Sequence, residues 1–148
     1  MKHKQLPIIG WREWLSLPEL GIGQIKAKID TGARSSALHA FHLEAFQRDS
    51  REMVRFQVHP NQRDSHYTIT AEAQLVEWRH IRNSGGQGEL RPVIQTAIEL
   101  GGRRWNIELT LTNRDLMGFR MLVGRQALRR QFLVNPGRSY LLGKMVTQ

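Results

Sequence analysis

The chain contains no cysteine among its 148 residues. Without thiols it can form neither a disulfide bond nor a cysteine-ligated metal centre, and such a composition is compatible with the cytoplasm. The sequence also lacks an uninterrupted apolar run. Its first residues, "MKHKQLPIIGWREW", are basic but carry no signal-peptide core, and no later stretch is long enough to span a membrane. We therefore expect a cytoplasmic protein with no membrane contact.

Acidic residues are scarce, because 13 Asp and Glu stand against 22 Lys and Arg and leave a net charge of +9. A basic balance of this size favours acidic partners such as nucleic acid, a ribosome or an acidic peptide. It is equally compatible with a solvated surface that aids solubility. A nucleotide-binding loop of the form G-x-x-x-x-G-K-[ST] is also missing, so we expect no ATP-dependent step within this chain.

The apolar residues that are present mostly alternate with polar ones, as in half-buried strands. Alternation covers residues 24–29, 54–58, 67–75, 94–100 and 105–111. The last two segments flank Gly101-Gly102 and predict a hairpin. There is no repeat or linker, and the length fits one domain, so we assign residues 1–148 to a single domain.

One stretch has helical spacing: "GRQALRRQF" at 124–132, after a short apolar strand "MLVG" at 121–124. Many short strands with one short C-terminal helix predict a mainly β fold, either a sandwich or a barrel.

The segment "AKIDTGARSSALHA" raises the question of what Asp30 does. Asp and Gly are ordinary turn residues, so Asp30-Thr31-Gly32 can simply end a strand. Two later segments favour a functional reading: the glycine-rich "RNSGGQGELR" at 82–91 and "FRMLVGRQAL" at 119–128. An Asp-Thr-Gly-Ala loop, a glycine-rich tip, a hairpin and a hydrophobic-hydrophobic-Gly-Arg turn follow one another in that order.

This order resembles the retropepsins, the single-domain aspartic proteases, from about Ile22 to Leu128. The segments "AKIDTGARSSALHA", "EWRHIRNSGG", "ELTLTNRDLMGFRMLVGRQAL" and "FLVNP" resemble more closely a bacterial and archaeal retropepsin-like family. Its members are often called ATP-dependent zinc proteases, and the RimB type is associated with a ligase that adds glutamates to a ribosomal protein. The resemblance implies a retropepsin-like closed β-barrel.

The resemblance also implies roles for individual residues. Asp30 would be the catalytic aspartate, with Thr31 locking the catalytic loops and Gly32 placing its amide against the carboxylate. Residues 82–91 would form a flap over the substrate, and Gly124 would support the loop that carries Asp30. Because alternate residues share a face of a strand, Lys28 would lie beside Asp30. The substrate-binding residues expected from both arguments are Lys28, Ala33, Arg34, Gly85, Gly86 and Arg91.

Aspartic hydrolysis needs two carboxyl groups that share one proton. The sequence has no second Asp-Thr-Gly or Asp-Ser-Gly, and Asp49, Asp64 and Asp115 lie in unrelated contexts. We therefore expect a homodimer in which Asp30 of each chain meets across a two-fold axis.

His39, His42 and Glu44 form an H-x-x-H-x-E cluster that could hold zinc. The spacing differs from H-E-x-x-H, and residues 39 and 42 of a strand point to opposite faces. We expect no metal and no cofactor.

Together these observations lead us to expect an aspartic peptidase that acts on glutamate-rich tails of a ribosomal protein, with an acidic peptide or the glutamylated protein as partner and a possible ribosome contact. Lys28, Arg34 and Arg91 would attract glutamate carboxylates. The alternatives are a zinc-dependent peptidase on the same fold and a non-catalytic β module that binds a ribosome or RNA.

Overall fold

A computed structural model describes residues 5–82 and 85–143, and these residues form mostly β-strands. The strands are β1 (Ile8–Ile9), β2 (Arg12–Leu17), β3 (Ile22–Asp30), β4 (Ser36–His39), β5 (Phe41–Arg48), β6 (Arg51–Val58), β7 (Ile69–Arg82), β8 (Gly88–Leu100), β9 (Arg103–Thr112), β10 (Met121–Gly124) and β11 (Leu133–Val134). A 3-10 helix spans Pro18–Leu20, and the α-helix α1 spans Arg125–Leu128.

Six strands close into a barrel in the order β2-β3-β10-β4-β9-β8, and the pairing of Ser16 on β2 with Glu99 on β8 completes the ring. Strands β7, β6 and β5 extend the sheet beyond β8, while β1 and β11 form a separate parallel pair. The expected mainly β, retropepsin-like barrel with one short helix is confirmed.

The alternation seen in the sequence sets which side chains fill the barrel. Along β3 the buried residues are Ile25, Ala27 and Ile29, and the polar residues between them are only partly buried. One apolar cluster runs through all six barrel strands and the inner face of β6. Burial of this cluster is the main stabilising contribution to the fold.

The predicted hairpin is confirmed as β8 and β9, which pair from Val93–Thr110 to Leu100–Arg103. Gly101 and Gly102 form its turn with φ of 60° and 79°. Such angles strain residues that carry a Cβ atom, which is why two glycines occupy the turn.

The helix is shorter than the periodicity of residues 124–132 predicts. It ends at Leu128 because Arg129 adopts a ψ of 128° and Arg130 a φ of 68°. The Phe132 amide still donates to the Leu128 carbonyl at 3.2 Å, and Phe132 is buried. The apolar spacing of the segment therefore reflects a turn that packs Phe132 into the core rather than a longer helix.

A buried carboxylate fastens the C-terminal segment to the barrel. Glu13 on β2 is 0% exposed and accepts hydrogen bonds from four backbone amides: those of Gly10, Leu141, Leu142 and Gly143, at 2.6–3.0 Å. The segment at 140–142 is therefore held to β2 by Glu13 together with backbone hydrogen bonds, among them that of the Tyr140 amide to the Arg12 carbonyl at 3.0 Å.

No helix in residues 5–82 and 85–143 combines the length and apolar character needed to cross a membrane.

Candidate functional site

Asp30 ends strand β3 at the edge of the barrel. The parallel neighbour β10 places Gly124 opposite it. The amide of Gly32 donates to Oδ1 of Asp30 at 3.0 Å, and the amide of Ala33 donates to the Asp30 carbonyl at 3.1 Å. The Asp-Thr-Gly-Ala segment is thus a tight turn that presents the partly buried Asp30 carboxylate at its start.

Gly124 supports this turn because there is no room for a side chain. A Cβ atom at Gly124 would lie 2.5 Å from the Ser35 carbonyl oxygen. The Gly124 amide donates to Oγ of Ser36 at 3.0 Å, and the Arg125 amide donates to the Ala33 carbonyl at 2.8 Å. The geometry of "LVGR" therefore agrees with the supporting position that the resemblance implied.

A cavity of about 1150 Å³ lies beside Asp30. Its walls come from the 30–37 turn, the ends of β7 and β8, the 114–117 loop and the start of α1. The charged side chains that line it are strongly unbalanced. There are six arginines and three carboxylates: Arg34, Arg79, Arg82, Arg91, Arg114 and Arg125, with Asp30, Glu108 and Asp115.

Arg79 is bound to carboxylates within the chain. Its guanidinium lies 2.6 Å from Glu77 Oε1 and 3.1 Å from Glu108 Oε1. Burial alone would lower the pKa of Arg79, but the hydrogen bonds and charges of the two glutamates outweigh that and raise it above its ordinary value. Arg79 thus forms a fixed part of the cavity wall.

Arg91 is also paired within the chain, and its role in substrate binding stays a prediction. It is 7% exposed, and its Nε donates to Glu89 Oε2 at 2.8 Å. Arg114 approaches the same Glu89 oxygen at 3.4 Å. Because Glu89 neutralises it, Arg91 is not a free cation at the end of the flap.

Three arginines of the cavity are exposed and form no ion pair with the described residues: Arg34, Arg82 and Arg125. Arg125 also donates from Nη1 to the Gly32 carbonyl at 3.2 Å, which holds its guanidinium beside the Asp30 turn. Arg34 was expected at the site, Arg82 was expected only as the first residue of the flap, and Arg125 was missed. The signal for Arg125 was available, because it directly follows the Gly124 that supports the turn.

Lys28 does not line the cavity, although it shares a face of β3 with Asp30 as alternation predicts. Its Nζ lies 3.1 Å from Sδ of Met117, and Met117 does line the cavity. Lys28 therefore contacts a residue of the cavity wall, and its role in substrate binding stays a prediction.

The other predicted site residues lie close to the cavity. Ala33 is partly buried against an apolar cluster and lines it, as does Gly85. Gly86 has a φ of 83° in the turn between β7 and β8. Thr31 is exposed, and its hydroxyl forms no hydrogen bond with the part of the chain described. The predicted flap is a hairpin of β7 and β8 whose residues 83–84 lie outside the described residues.

The histidine cluster is not assembled as a metal site. His39 ends β4, whereas His42, with a φ of 53°, bonds through Nδ1 to Gln57 at 2.6 Å. No group of three or more potential ligands exists among residues 5–82 and 85–143. The residues present therefore do not fit a zinc centre.

Comparison with known proteins identifies relatives of this chain. A model of the RimB-like family, described as "Retropepsin-like aspartic endopeptidase RimB", matches residues 8–145. Two curated proteins named "Probable alpha-L-glutamate ligase", from Parasynechococcus marenigrum and Shewanella pealeana, are 49% and 45% identical over 93% of this chain. The chain spans only 30% of the length of these relatives.

A solved structure has the same architecture. A Legionella pneumophila protein of unknown function superimposes with a TM-score of 0.76 and 26% identity, covering 93% of this chain and 99% of that one. The likeness supports the barrel but assigns no activity.

The names of the curated relatives contradict the expected aspartic peptidase, and with it the labels hydrolase and protease. They name a ligase, and they give no support to a zinc protease either. The motif misled because a fold and a turn can be shared without the reaction. The family match and the shared barrel show that this chain belongs to the RimB-like, retropepsin-like family.

Proposed function

We propose that this chain is the acidic-peptide-binding part of a glutamate-ligation system. The observation that carries the proposal is the set of exposed arginines in the cavity, Arg34, Arg82 and Arg125, which have no carboxylate partner in the described residues. Guanidinium groups bind carboxylates through paired hydrogen bonds. A chain of glutamates, as a glutamate ligase handles, presents such carboxylates.

The part of the relatives that this chain matches supports a binding role. The larger share of each "Probable alpha-L-glutamate ligase" lies outside the matched segment. The chain also lacks a G-x-x-x-x-G-K-[ST] loop for nucleotide phosphates. We therefore assign the bond-forming chemistry to a different polypeptide segment and peptide binding to this one. The family resemblance suggests a glutamylated ribosomal protein, whose added glutamates would present such carboxylates.

The charge balance of the cavity supports the same substrate class. Of its six arginines, Arg79 is paired with Glu77 and Glu108, whereas Arg91 and Arg114 share the single carboxylate of Glu89. The three open arginines outnumber Asp30 and Asp115, and no ion pair links either aspartate to an arginine in the described residues. The cavity thus keeps cationic groups available for a ligand.

The test is a binding titration. A fluorescein-labelled tetraglutamate peptide should bind about tenfold more tightly than the matched tetraglutamine peptide at low salt, because three exposed ion pairs together contribute roughly 1–2 kcal/mol. High salt should remove most of that preference. Combined replacement of Arg34, Arg82 and Arg125 by Gln should abolish it, while Arg138→Gln, an exposed arginine outside the cavity, should not. Equal binding of the two peptides would refute the proposal.

We also propose that the protein forms a homodimer and is located in the cytoplasm. Thr31, Gly32 and Arg34 are exposed on the turn that follows Asp30, so a second copy could pack there and contribute its own arginines. One chain has a mass of 17.1 kDa, and sedimentation equilibrium should then give twice that mass. A monomer at the concentration that binds peptide would remove the dimer and leave the binding role standing.

A further inference from the structure

A second cavity of about 260 Å³ adjoins the first. The two share four lining residues: Ser35, Arg79, Glu108 and Gln126. The ion pair between Arg79 and Glu108, 3.1 Å long, lies where they meet. The two cavities are therefore adjacent at this ion pair.

The walls of the second cavity carry both polar and apolar groups and are held in place by contacts within the chain. Asn106 and Glu108 point outward from β9, because the residue between them is buried in the barrel. The opposite wall comes from α1 and the residues after it. Nε1 of Trp105 donates to the Ala127 carbonyl at 3.0 Å, which fixes α1 against β9. The space is thus a groove between a sheet face and a helix rather than a gap between mobile loops.

Arg125 and Arg129 connect the two cavities along one face of α1. Arg125 lines the first cavity and Arg129 lines the second. The Arg129 amide donates to the Arg125 carbonyl at 3.0 Å, so the two residues stand one helical turn apart. Side chains with this spacing lie about 5–6 Å from each other. Arg129 is exposed and forms no ion pair with the described residues.

That spacing matches an extended peptide. Such a chain advances about 3.3 Å per residue and sends alternate side chains to the same side, so carboxylates that face one wall recur about every 6.6 Å. Once a tetraglutamate segment fills the first cavity at Arg34, Arg82 and Arg125, a glutamate two residues beyond the one at Arg125 would meet Arg129, so only a longer peptide keeps all of these contacts.

We propose that the two cavities form one continuous groove and that the second, through Arg129, is a subsite for a further carboxylate of an extended acidic peptide. The proposal rests on the proposed function, because it needs an acidic peptide already bound in the first cavity. It adds a length requirement that acidic-peptide binding alone does not impose.

The experiment compares labelled tetraglutamate and octaglutamate by fluorescence anisotropy. The longer peptide has more binding registers in every variant, so the quantity that matters is the ratio of the two dissociation constants. Replacing Arg129 by Gln should reduce the advantage of octaglutamate about two- to fivefold and leave tetraglutamate binding unchanged. Arg130→Gln is the matched control, because Arg130 is the exposed neighbour that lines neither cavity.

A second variant, Asn106→Asp, places a carboxylate in the wall of the subsite and should reduce the same ratio by repulsion. Circular dichroism would verify that each variant is folded. If tetraglutamate binds normally and both variants keep the wild-type ratio, the subsite is refuted and the proposed function survives. If tetraglutamate fails to bind the wild-type protein, the proposed function falls and the subsite falls with it.

Discussion

Two carboxylates of this protein are used in opposite ways. Glu13 is fully buried and accepts four backbone hydrogen bonds, one from Gly10 and three from residues 141–143. Asp30 is only partly buried and accepts one, from the Gly32 amide, while it faces a large cavity. Both side chains stand on barrel strands, yet one is enclosed by donors and the other is open.

The difference shows which group can take part in binding. An ionised carboxylate has about four lone-pair sites for hydrogen bonds. At Glu13 all of them are occupied by the chain itself, so the group stabilises the fold and has no capacity left. At Asp30 most of them face solvent, so the group remains available to water or to a ligand. The chemical type alone did not distinguish the two positions.

The largest effect should follow from replacing Glu13 by Gln. The amide nitrogen of Gln donates and cannot accept, so two of the four backbone amides would lose their partner in a buried site. Each lost partner costs about 1–3 kcal/mol, and we expect the free energy of unfolding to fall by roughly 2–5 kcal/mol. Urea denaturation followed by circular dichroism measures this. The matched control is Glu52→Gln, an exposed glutamate whose side chain has no bonding partner among the described residues, which should change stability by less than about 0.5 kcal/mol. Equal stability of the two variants would show that the Glu13 contacts do not hold the C-terminal segment.

Asp30→Asn should have the reverse profile, with little effect on stability and a clear effect on binding. Asn can still accept from the Gly32 amide, so the turn is retained. Removal of a negative charge from a cavity rich in arginine should tighten tetraglutamate binding about two- to fivefold.

The control for Asp30→Asn is Asp49→Asn, because Asp49 lies in a turn outside the cavity. It makes the same charge change at a distance and should leave the dissociation constant unchanged. Weaker tetraglutamate binding by the Asp30→Asn protein alone would mean that Asp30 accepts a hydrogen bond from the ligand. That result would contradict the expected repulsion.

Local patterns were enough to predict most of the strands. Alternation marked β3, β6 and the β8–β9 pair because each buries one face, and Gly101-Gly102 marked a turn that needs positive φ. The position of Gly124 opposite Asp30 came only from family resemblance, since nothing local shows that β3 and β10 are neighbours.

The long-range contacts could not be predicted from the chain alone. Barrel closure joins Ser16 to Glu99, and the Glu13 contacts join residues about 130 positions apart. Whether an arginine of the cavity is ion-paired depends on such contacts too. One exception is Arg91, whose partner Glu89 stands two residues away on the same strand and hence on the same face. The two-residue spacing of Glu89 and Arg91 is visible in the sequence and predicts that Arg91 is ion-paired rather than a free cation.

The smallest effect concerns His39, which extends the comparison from acids to a base. Its Nδ1 is buried with no hydrogen-bond partner among the described residues, in contrast to the fully bonded Glu13. Burial lowers the pKa of His39 below its ordinary value of 6.5, and the nearby charge of Arg120 lowers it further, while Asn113 and Asp115 oppose this.

Between the lowered value and 6.5 the unfolded chain binds more protons than the folded one, so stability should decline as the pH falls through that interval. One proton can account for at most about 1.4 kcal/mol per pH unit, and the partial exposure of His39 reduces the effect below that limit. His39→Gln, which cannot be protonated, should flatten the stability profile just below pH 6.5. An unaltered slope in the His39→Gln protein would place the pH dependence on other groups and would mean that a buried, unbonded nitrogen is tolerated here in either charge state.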